Sequence, residues 1–194
     1  MTVRILDIGS GEHSVAAQVL DWIADKEIVR LDALEATKPD IVHDITQPLP
    51  EELHGQFDIV FISHVLEHID RPHVIETFRQ VISAVKNMGE VWVIVPSLEW
   101  AANEIINRRE GIHVQMNIFG GQLTPFDYHK TGFTLLALRQ VVELCGLIVR
   151  RAYQSPFLIV HEGKEYGSLQ NVVIGMRYDE DPRDALAGVN VAAV

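Results

Sequence analysis

The chain has 194 residues, of which 47% are hydrophobic and 22% charged, a balance typical of one folded domain with a full core. Its formal net charge of -11 makes a nucleic-acid partner unlikely, since neutralising phosphates requires clustered lysine and arginine. The single cysteine, Cys145, excludes an internal disulfide, and the absence of a bilayer-length apolar run or an export signal predicts a cytoplasmic protein without a membrane partner.

Strand and helix patterns alternate along the chain, beginning with an apolar strand at Val3–Ile8. The other predicted strands are residues 27–31, 41–43, 57–63, 90–95, 147–153 and 171–178. The predicted helices are 14–25, a short turn at 65–69, 72–85 and 134–145, where apolar residues recur at helical spacing. This alternation predicts an α/β fold with a doubly wound, mostly parallel seven-stranded sheet (Rossmann-like) and an antiparallel last strand.

Three segments fall outside this alternation. Residues 97–132 form a long insertion rich in glycine and aromatic residues, and we expect an irregular acceptor-binding loop or lid within a single domain, 1–180. A polar loop is expected at 162–168, between the last two strands. Residues 181–194 are predicted to form a flexible tail.

The first strand runs directly into a glycine turn, Asp7-Ile8-Gly9-Ser10-Gly11. Such a turn opens a nucleotide pocket, because a residue without a Cβ lets a ligand lie against the main chain. The next two strands end in Asp32 and Asp44, and the fourth ends in Ser63 and His64. Asp32 follows the glycines at the spacing of a ribose-hydroxyl acceptor, and Asp44 is placed to accept from an amine such as that of adenine. The sequence therefore predicts a nucleoside site at the carboxyl ends of the strands.

These residues resemble the class I S-adenosylmethionine-dependent methyltransferases, in the branch that acts on small molecules and in glycan pathways. The most specific match is residues 57–69, where Phe-Asp-x-Val is followed by Val-Leu-Glu-His. Residues 89–96 resemble the fifth-strand signature of that branch, and 120–133 resemble a loop of sugar and natural-product methyltransferases. The resemblance implies S-adenosylmethionine as cofactor and a small-molecule or glycan acceptor, methylated at oxygen or nitrogen.

The resemblance also implies roles for individual residues. Asp7 would orient the turn and the amino end of the cofactor, while Asp32 would take the ribose hydroxyls. The full implied cofactor-binding set is Asp7, Gly9, Ser10, Gly11, Asp32, Asp44, Ile45, Ser63 and His64. An oxygen acceptor usually also needs a general base, and the catalytic candidates are His129 and His64, with His113 less favoured.

Other interpretations of the same residues stay open. The pattern His64-x-x-Glu67-His68 also occurs in zinc proteases, but no third ligand is identifiable, so we predict no metal site. Glu67 and His68 then serve in capping or packing, and His129 is equally well an ordinary loop histidine. His13 stands where relatives often have a third glycine, and this departure motivates the alternative of a catalytically inactive binding module. A nicotinamide-dependent oxidoreductase shares the glycine turn but would leave the Val-Leu-Glu-His segment unexplained.

Overall fold

The computed structural model describes residues 1–179, so the tail predicted at 181–194 lies outside the described part. The strands are β1 (Val3–Ile8), β2 (Lys26–Asp32), β3 (Ile41–Val42), β4 (Phe57–Ser63), β5 (Val85–Pro96), β6 (Ile148–His161) and β7 (Lys164–Met176). The α-helices are α1 (Val15–Val19), α2 (Val74–Ile82), α3 (Leu98–Ile106), α4 (Ile112–Phe119) and α5 (Leu135–Leu144). None of the helices in residues 1–179 is long and apolar enough to span a membrane.

The strands form one seven-stranded sheet in the order β3-β2-β1-β4-β5-β7-β6. Neighbouring strands from β3 to β5 are parallel, whereas β7 runs antiparallel to both β5 and β6. The predicted fold class, with its antiparallel last strand, is therefore confirmed. The strand order reverses between β1 and β4, and such a switch point is where open α/β sheets bind ligands.

Side chains that alternate along β1 and β4 build a core on each face of the sheet. Leu6 belongs to the larger core, which α2 and α5 cover, whereas its neighbour Ile5 belongs to the smaller core beneath α1. Phe78 of α2 and Phe61 of β4 are fully buried on these two faces. Each such side chain contributes about 1.5–3 kcal/mol by burial, so the sheet is a rigid platform for the loops at its carboxyl edge.

The first helix is much shorter than the predicted 14–25, since α1 ends at Val19. Only part of the apolar stripe is covered: Ala16 and Leu20 are buried, but Val15 is 42% and Trp22 is 68% exposed. A short helix in water is stabilised mainly by the face that it buries, so this incomplete cover leaves residues 20–25 as turns.

The expectation that residues 97–132 are irregular was wrong, because α3 and α4 occupy much of this insertion. Ser97 caps α3 by accepting a hydrogen bond from the backbone N–H of Trp100. Gly120, with φ of 79°, ends α4. The irregular parts are the short connection 107–111 between the two helices and the stretch after Gly120, which reaches Thr134 at the start of α5.

The prediction of a polar loop at 162–168 was also wrong. Glu162 and Gly163 alone form the turn, with φ values of 48° and 74°, and the strand pairing continues to His161 and Lys164. Two residues with positive φ make the tight turn that matches the twist of a hairpin, so polar composition did not imply a long loop. The β6–β7 hairpin therefore extends beyond Pro96, where the pairing of β5 with β7 ends.

Replacing Gly9 with alanine is expected to destabilise the fold by about 2–4 kcal/mol, because left-handed backbone strain and a steric clash add together. Gly9 has a φ of 68°, and a Cβ there would lie 2.2 Å from Cγ2 of Val65, a side chain with little rotameric freedom. Gly11→Ala is the matched control, since Gly11 has a φ of 58° but open space at its Cβ position, and about 1 kcal/mol of strain is expected. Urea unfolding measures both losses, and equal losses would contradict the steric role of Val65.

Candidate functional site

A cleft of about 760 Å³ opens at the carboxyl ends of β1, β2 and β4. This volume lies within the range of about 300–1,000 Å³ that is usual for small-molecule sites. One side is formed by the glycine turn, the end of β2 and the segment after β3. The other side is formed by the segment after β4 and by loop residues 124–127 and Lys130 from the insertion.

The structure brings many of the predicted cofactor-binding residues to this cleft, though not all of them. The predicted residues that line it are Gly9, Gly11, Asp32, Asp44, Ile45 and His64. Asp7, Ser10 and Ser63 are buried at the strand ends and do not line it. His13, in the position of the third glycine, is exposed and also stays outside the cleft wall.

The last residues of β2 hold the glycine turn in place. The carboxylate of Asp32 accepts hydrogen bonds from the backbone N–H groups of Gly11 and Leu34, both at 2.9 Å. The guanidinium of Arg30 donates to the carbonyl oxygens of Gly11 and Thr37. Arg30 and Asp32 share a face of β2 because strand side chains alternate, yet the sequence analysis did not single out Arg30. The turn is therefore fixed by its neighbouring strand before any ligand binds.

Asp7 lies behind the turn and is only 1% exposed. Burial raises the pKa of its carboxyl group to about 6, although a hydrogen bond from the Ser14 hydroxyl and the charge of Arg30 oppose that rise. The Ser14 Oγ to Asp7 Oδ2 distance is 2.6 Å, and Ser14 also caps α1 by accepting from Ala17 N–H. Asp7 thus joins the turn to the following helix.

His64 follows β4 with a φ of 55°, a left-handed conformation that is unusual for histidine. Its backbone N–H donates to the carbonyl of Ile94 at 2.8 Å, which holds this strained position at the edge of the sheet. The ring contacts the Phe157 ring at a centroid distance of 5.1 Å, and Nε2 lies 3.0 Å from Oε1 of Gln170. These contacts present the imidazole to the cleft.

The other ring nitrogen of His64 faces a buried acid. Nδ1 lies 3.3 Å from Oε1 of Glu67, which is 1% exposed. Burial acts to lower the pKa of His64, but Glu67 and Gln170 outweigh it and hold that pKa above its usual value. Burial acts to raise the pKa of Glu67, but the imidazoles of His64, His68 and His129 keep it below its usual value.

The structure also brings His129 to Glu67 and His68, from sixty residues further along the chain. The rings of His68 and His129 meet edge to face with centroids 4.9 Å apart. The backbone N–H groups of Lys130 and Thr131 donate to the carbonyl of Glu67 at 2.7 and 3.0 Å, and this fixes the loop against the segment after β4. His129 lines an adjoining cavity of about 200 Å³, whereas His68 lines the main cleft.

The pattern from His64 to His68 is visible in the sequence, but a third residue that joins it is not. The partner, His129, was identified separately as a candidate base, and no local spacing connects it to Glu67. Gln170, which contacts His64 across 106 residues, was not identified at all, since a glutamine within a strand carries no distinctive signal.

Residues 2–149 match the protein family described as "Methyltransferase domain". The chain belongs to this methyltransferase family. The S-adenosylmethionine-dependent class expected from the sequence is thereby confirmed, and the nicotinamide interpretation is set aside. No curated protein matches the sequence.

Solved structures show the same fold. A methyltransferase from Methanosarcina mazei described as S-adenosylmethionine-dependent superimposes with a TM-score of 0.65 at 13% identity, covering 91% of this chain and 93% of that one. A second such enzyme, from Archaeoglobus fulgidus, has a TM-score of 0.59 at 18% identity and covers 91% and 86%. The Burkholderia thailandensis 1,6-didemethyltoxoflavin-N1-methyltransferase, with 1,6-didemethyltoxoflavin and S-adenosylhomocysteine bound, has a TM-score of 0.60 at 12% identity and covers 92% and 72%.

The raised pKa of Asp7 predicts a stabilising contribution that is complete below pH 3.8 and lost as the pH rises through about 6. This shift corresponds to about 3 kcal/mol. The Asp7→Asn variant keeps an acceptor for Ser14 and cannot ionise. Its free energy of unfolding, relative to that of the wild type, should therefore increase by up to this amount from roughly pH 4 to pH 7. Urea denaturation at both pH values measures the gain.

Asp58→Asn is the control with the opposite sign. Burial opposes ionisation of Asp58 as well, but Lys86 and the backbone N–H of Arg4 hold its pKa below the usual value. This variant should lose stability relative to the wild type as the pH rises. A stability difference for Asp7→Asn that does not change with pH would contradict the assigned pKa.

Proposed function

We propose that this methyltransferase transfers the methyl group of S-adenosylmethionine to an oxygen or nitrogen atom of a small-molecule or glycan acceptor. The observation that carries the proposal is the composition of the cleft. The glycine turn, Asp32 and Asp44 line one side, and His64 and His68 with the loop of the insertion line the other. A single cleft thus offers a nucleoside side and an acceptor side.

The nucleoside side supplies a main-chain surface and carboxylate acceptors. Gly9 and Gly11 let the cofactor lie against the turn. Both Asp32 oxygens accept a backbone N–H, and each retains a further lone pair for a ribose hydroxyl. We place the adenine at Asp44 and Ile45, which line the next part of the cleft. Asp7 supports the turn from behind and does not contact the cofactor in this proposal.

The acceptor side includes His64, His68 and Lys130, together with Phe126 of the insertion loop. These side chains mix polar and aromatic surface, which suits a small acceptor with a ring or several hydroxyl groups. The toxoflavin-precursor methyltransferase of Burkholderia thailandensis acts on a small molecule, as its name states, and has the same fold. Residues 124–130, rather than all of 97–132, therefore form the acceptor loop that we propose.

Methyl transfer needs alignment more than charge, because the sulfonium is already activated. A lone pair of the acceptor forms a bond to the methyl carbon. The bond from that carbon to sulfur breaks, and its electron pair stays on sulfur as the neutral thioether. When the acceptor is a hydroxyl, its proton must leave, and we assign His64 as the base that takes it. Glu67 orients the ring through Nδ1, and the acceptor hydroxyl replaces Gln170 at Nε2, so that this nitrogen receives the proton. His129 lines the adjoining cavity and not the main cleft, so we do not assign it as the base.

Asp32→Ala is expected to weaken binding of S-adenosylhomocysteine by at least about 100-fold, because two ribose hydroxyls lose hydrogen bonds to a charged group worth about 1.5–3 kcal/mol each. Isothermal titration calorimetry measures the affinity, and circular dichroism verifies the fold. Glu27→Ala is the matched control, since Glu27 lies on the same strand and pairs at 3.1 Å with Arg4 away from the cleft. An unchanged affinity of the Asp32 variant would remove Asp32 from the site.

His64→Asn should lower kcat/KM for a hydroxyl acceptor by about 10²–10⁴-fold, because asparagine tolerates the left-handed backbone but cannot act as the base. The neutral imidazole is the active form, so wild-type activity should rise with pH through the raised pKa of His64, and the variant should lose that rise. The readout is S-adenosylhomocysteine formed from a panel of phenols, sugars and amines. Wild-type protein that binds the cofactor but releases no product with any acceptor would instead support an inactive binding module.

A further inference from the structure

We propose that Glu67, His68 and His129 bind a divalent transition-metal ion at the acceptor side of the cleft. One ligand atom from each residue lies within 4.8 Å of the other two. The first two residues follow β4, and the third comes from the insertion loop whose backbone is tied to the carbonyl of Glu67. The loop and the segment after β4 thus hold the three side chains together.

The carboxylate of Glu67 carries the strongest indication. It is 1% exposed, and neither of its oxygens has a hydrogen-bond partner in residues 1–179. The His64 Nδ1 atom at 3.3 Å offers an ion-pair contact to one oxygen only. A buried ionised carboxylate is costly unless it is paired or coordinates a metal ion. The Oε2 atom of Glu67 therefore has free lone pairs and is buried from bulk solvent.

Each of the two histidines keeps one ring nitrogen free for a metal ion. Nδ1 of His68 lies 3.1 Å from the carbonyl oxygen of Tyr128, and Nδ1 of His129 lies 3.0 Å from that of Asn117. A carbonyl oxygen can only accept, so each Nδ1 carries the proton and each Nε2 carries the free lone pair. Metal-bound histidines commonly donate their second nitrogen to a backbone carbonyl in this way.

Two imidazoles and one carboxylate favour zinc, or another first-row ion such as cobalt, over magnesium, which prefers oxygen ligands. Bond lengths of about 2.0–2.2 Å require ligand atoms roughly 3.4 Å apart, so binding must draw the three side chains together by ~1 Å. Three protein ligands leave at least one coordination position free. Since His68 lines the main cleft, that position can be taken by an oxygen of the acceptor.

The role of the ion rests on the proposed function. An ion held by these residues would make a bound hydroxyl more acidic. The hydroxyl proton would then pass more readily to His64 as the oxygen forms its bond to the methyl carbon, and the carbon–sulfur bond would break with its electron pair left on sulfur. The acceptor class that this site suits is therefore a hydroxyl-bearing molecule, and no oxidation or reduction is involved.

Metal binding is tested on the full chain after treatment with a chelator. Equilibrium dialysis against Zn²⁺ should give one bound ion per chain, and Co²⁺ should give a visible absorption band from coordination by nitrogen and oxygen. His129→Ala, His68→Ala and Glu67→Gln should each lower the affinity by about 100-fold or more, given that even the loss of an outer partner costs about 10–100-fold. His13→Ala and His73→Ala are matched controls with metal affinity unchanged, since neither residue belongs to the cluster.

The proposal would be overturned if the wild-type protein bound neither ion. It would also be overturned if the three ligand variants bound the ions as tightly as the wild type. Glu67→Gln removes a buried charge, so circular dichroism and thermal unfolding without metal should show a folded variant, while the gain in Tm on adding Zn²⁺ should disappear. S-adenosylhomocysteine affinity of His129→Ala should match the wild type. Asp32→Ala should lose cofactor binding and keep metal binding, whereas His129→Ala should lose metal binding and keep cofactor binding. These two results distinguish failure of the metal site from failure of the proposed function.

Discussion

The close approach of Gly9 to Val65 is the constraint on which the site depends. The turn after β1 and the segment after β4 come from neighbouring parallel strands, and the absent Cβ of Gly9 lets them touch. The turn supplies the nucleoside side of the cleft, and the segment supplies His64 and His68. A bulkier residue at position 9 would push the two sides of the cleft apart. The packing of Gly9 against Val65 therefore sets the distance between the nucleoside side and the acceptor side.

The two buried acids next to this contact have opposite electrostatics. Burial dominates at Asp7 and raises its pKa, because a single hydroxyl and a neighbouring guanidinium give only partial compensation. Imidazoles surround Glu67 and lower its pKa in spite of complete burial. The cluster around Glu67 therefore keeps a negative charge beside His64, where it orients the imidazole ring.

The insertion is anchored to the site instead of covering it loosely. Asn117 of α4 accepts from His129 through its carbonyl and donates through its side chain to Ser168 of β7 at 3.1 Å. The stacked rings of His113 and Tyr166, with centroids 5.1 Å apart, add a second contact between α4 and the hairpin. The outer hairpin thus supports α4, and α4 supports the loop that carries His129. The outer end of the hairpin, where a polar loop was expected at 162–168, therefore belongs to the strand pair that supports α4.

The sequence alone determined the fold class, the methyltransferase family and the strand ends at which polar residues gather. These features depend on local patterns: apolar runs, a glycine turn, and acids that directly follow strands. Tertiary structure decided that α1 is short, that two helices form within the insertion, and that Glu162 and Gly163 make a tight turn. It also decided that His129 joins Glu67 and His68, and that Gln170 meets His64. Those contacts join residues about 60 to 106 positions apart. No local pattern encodes such distances, because they follow from how the insertion and the hairpin pack against the sheet.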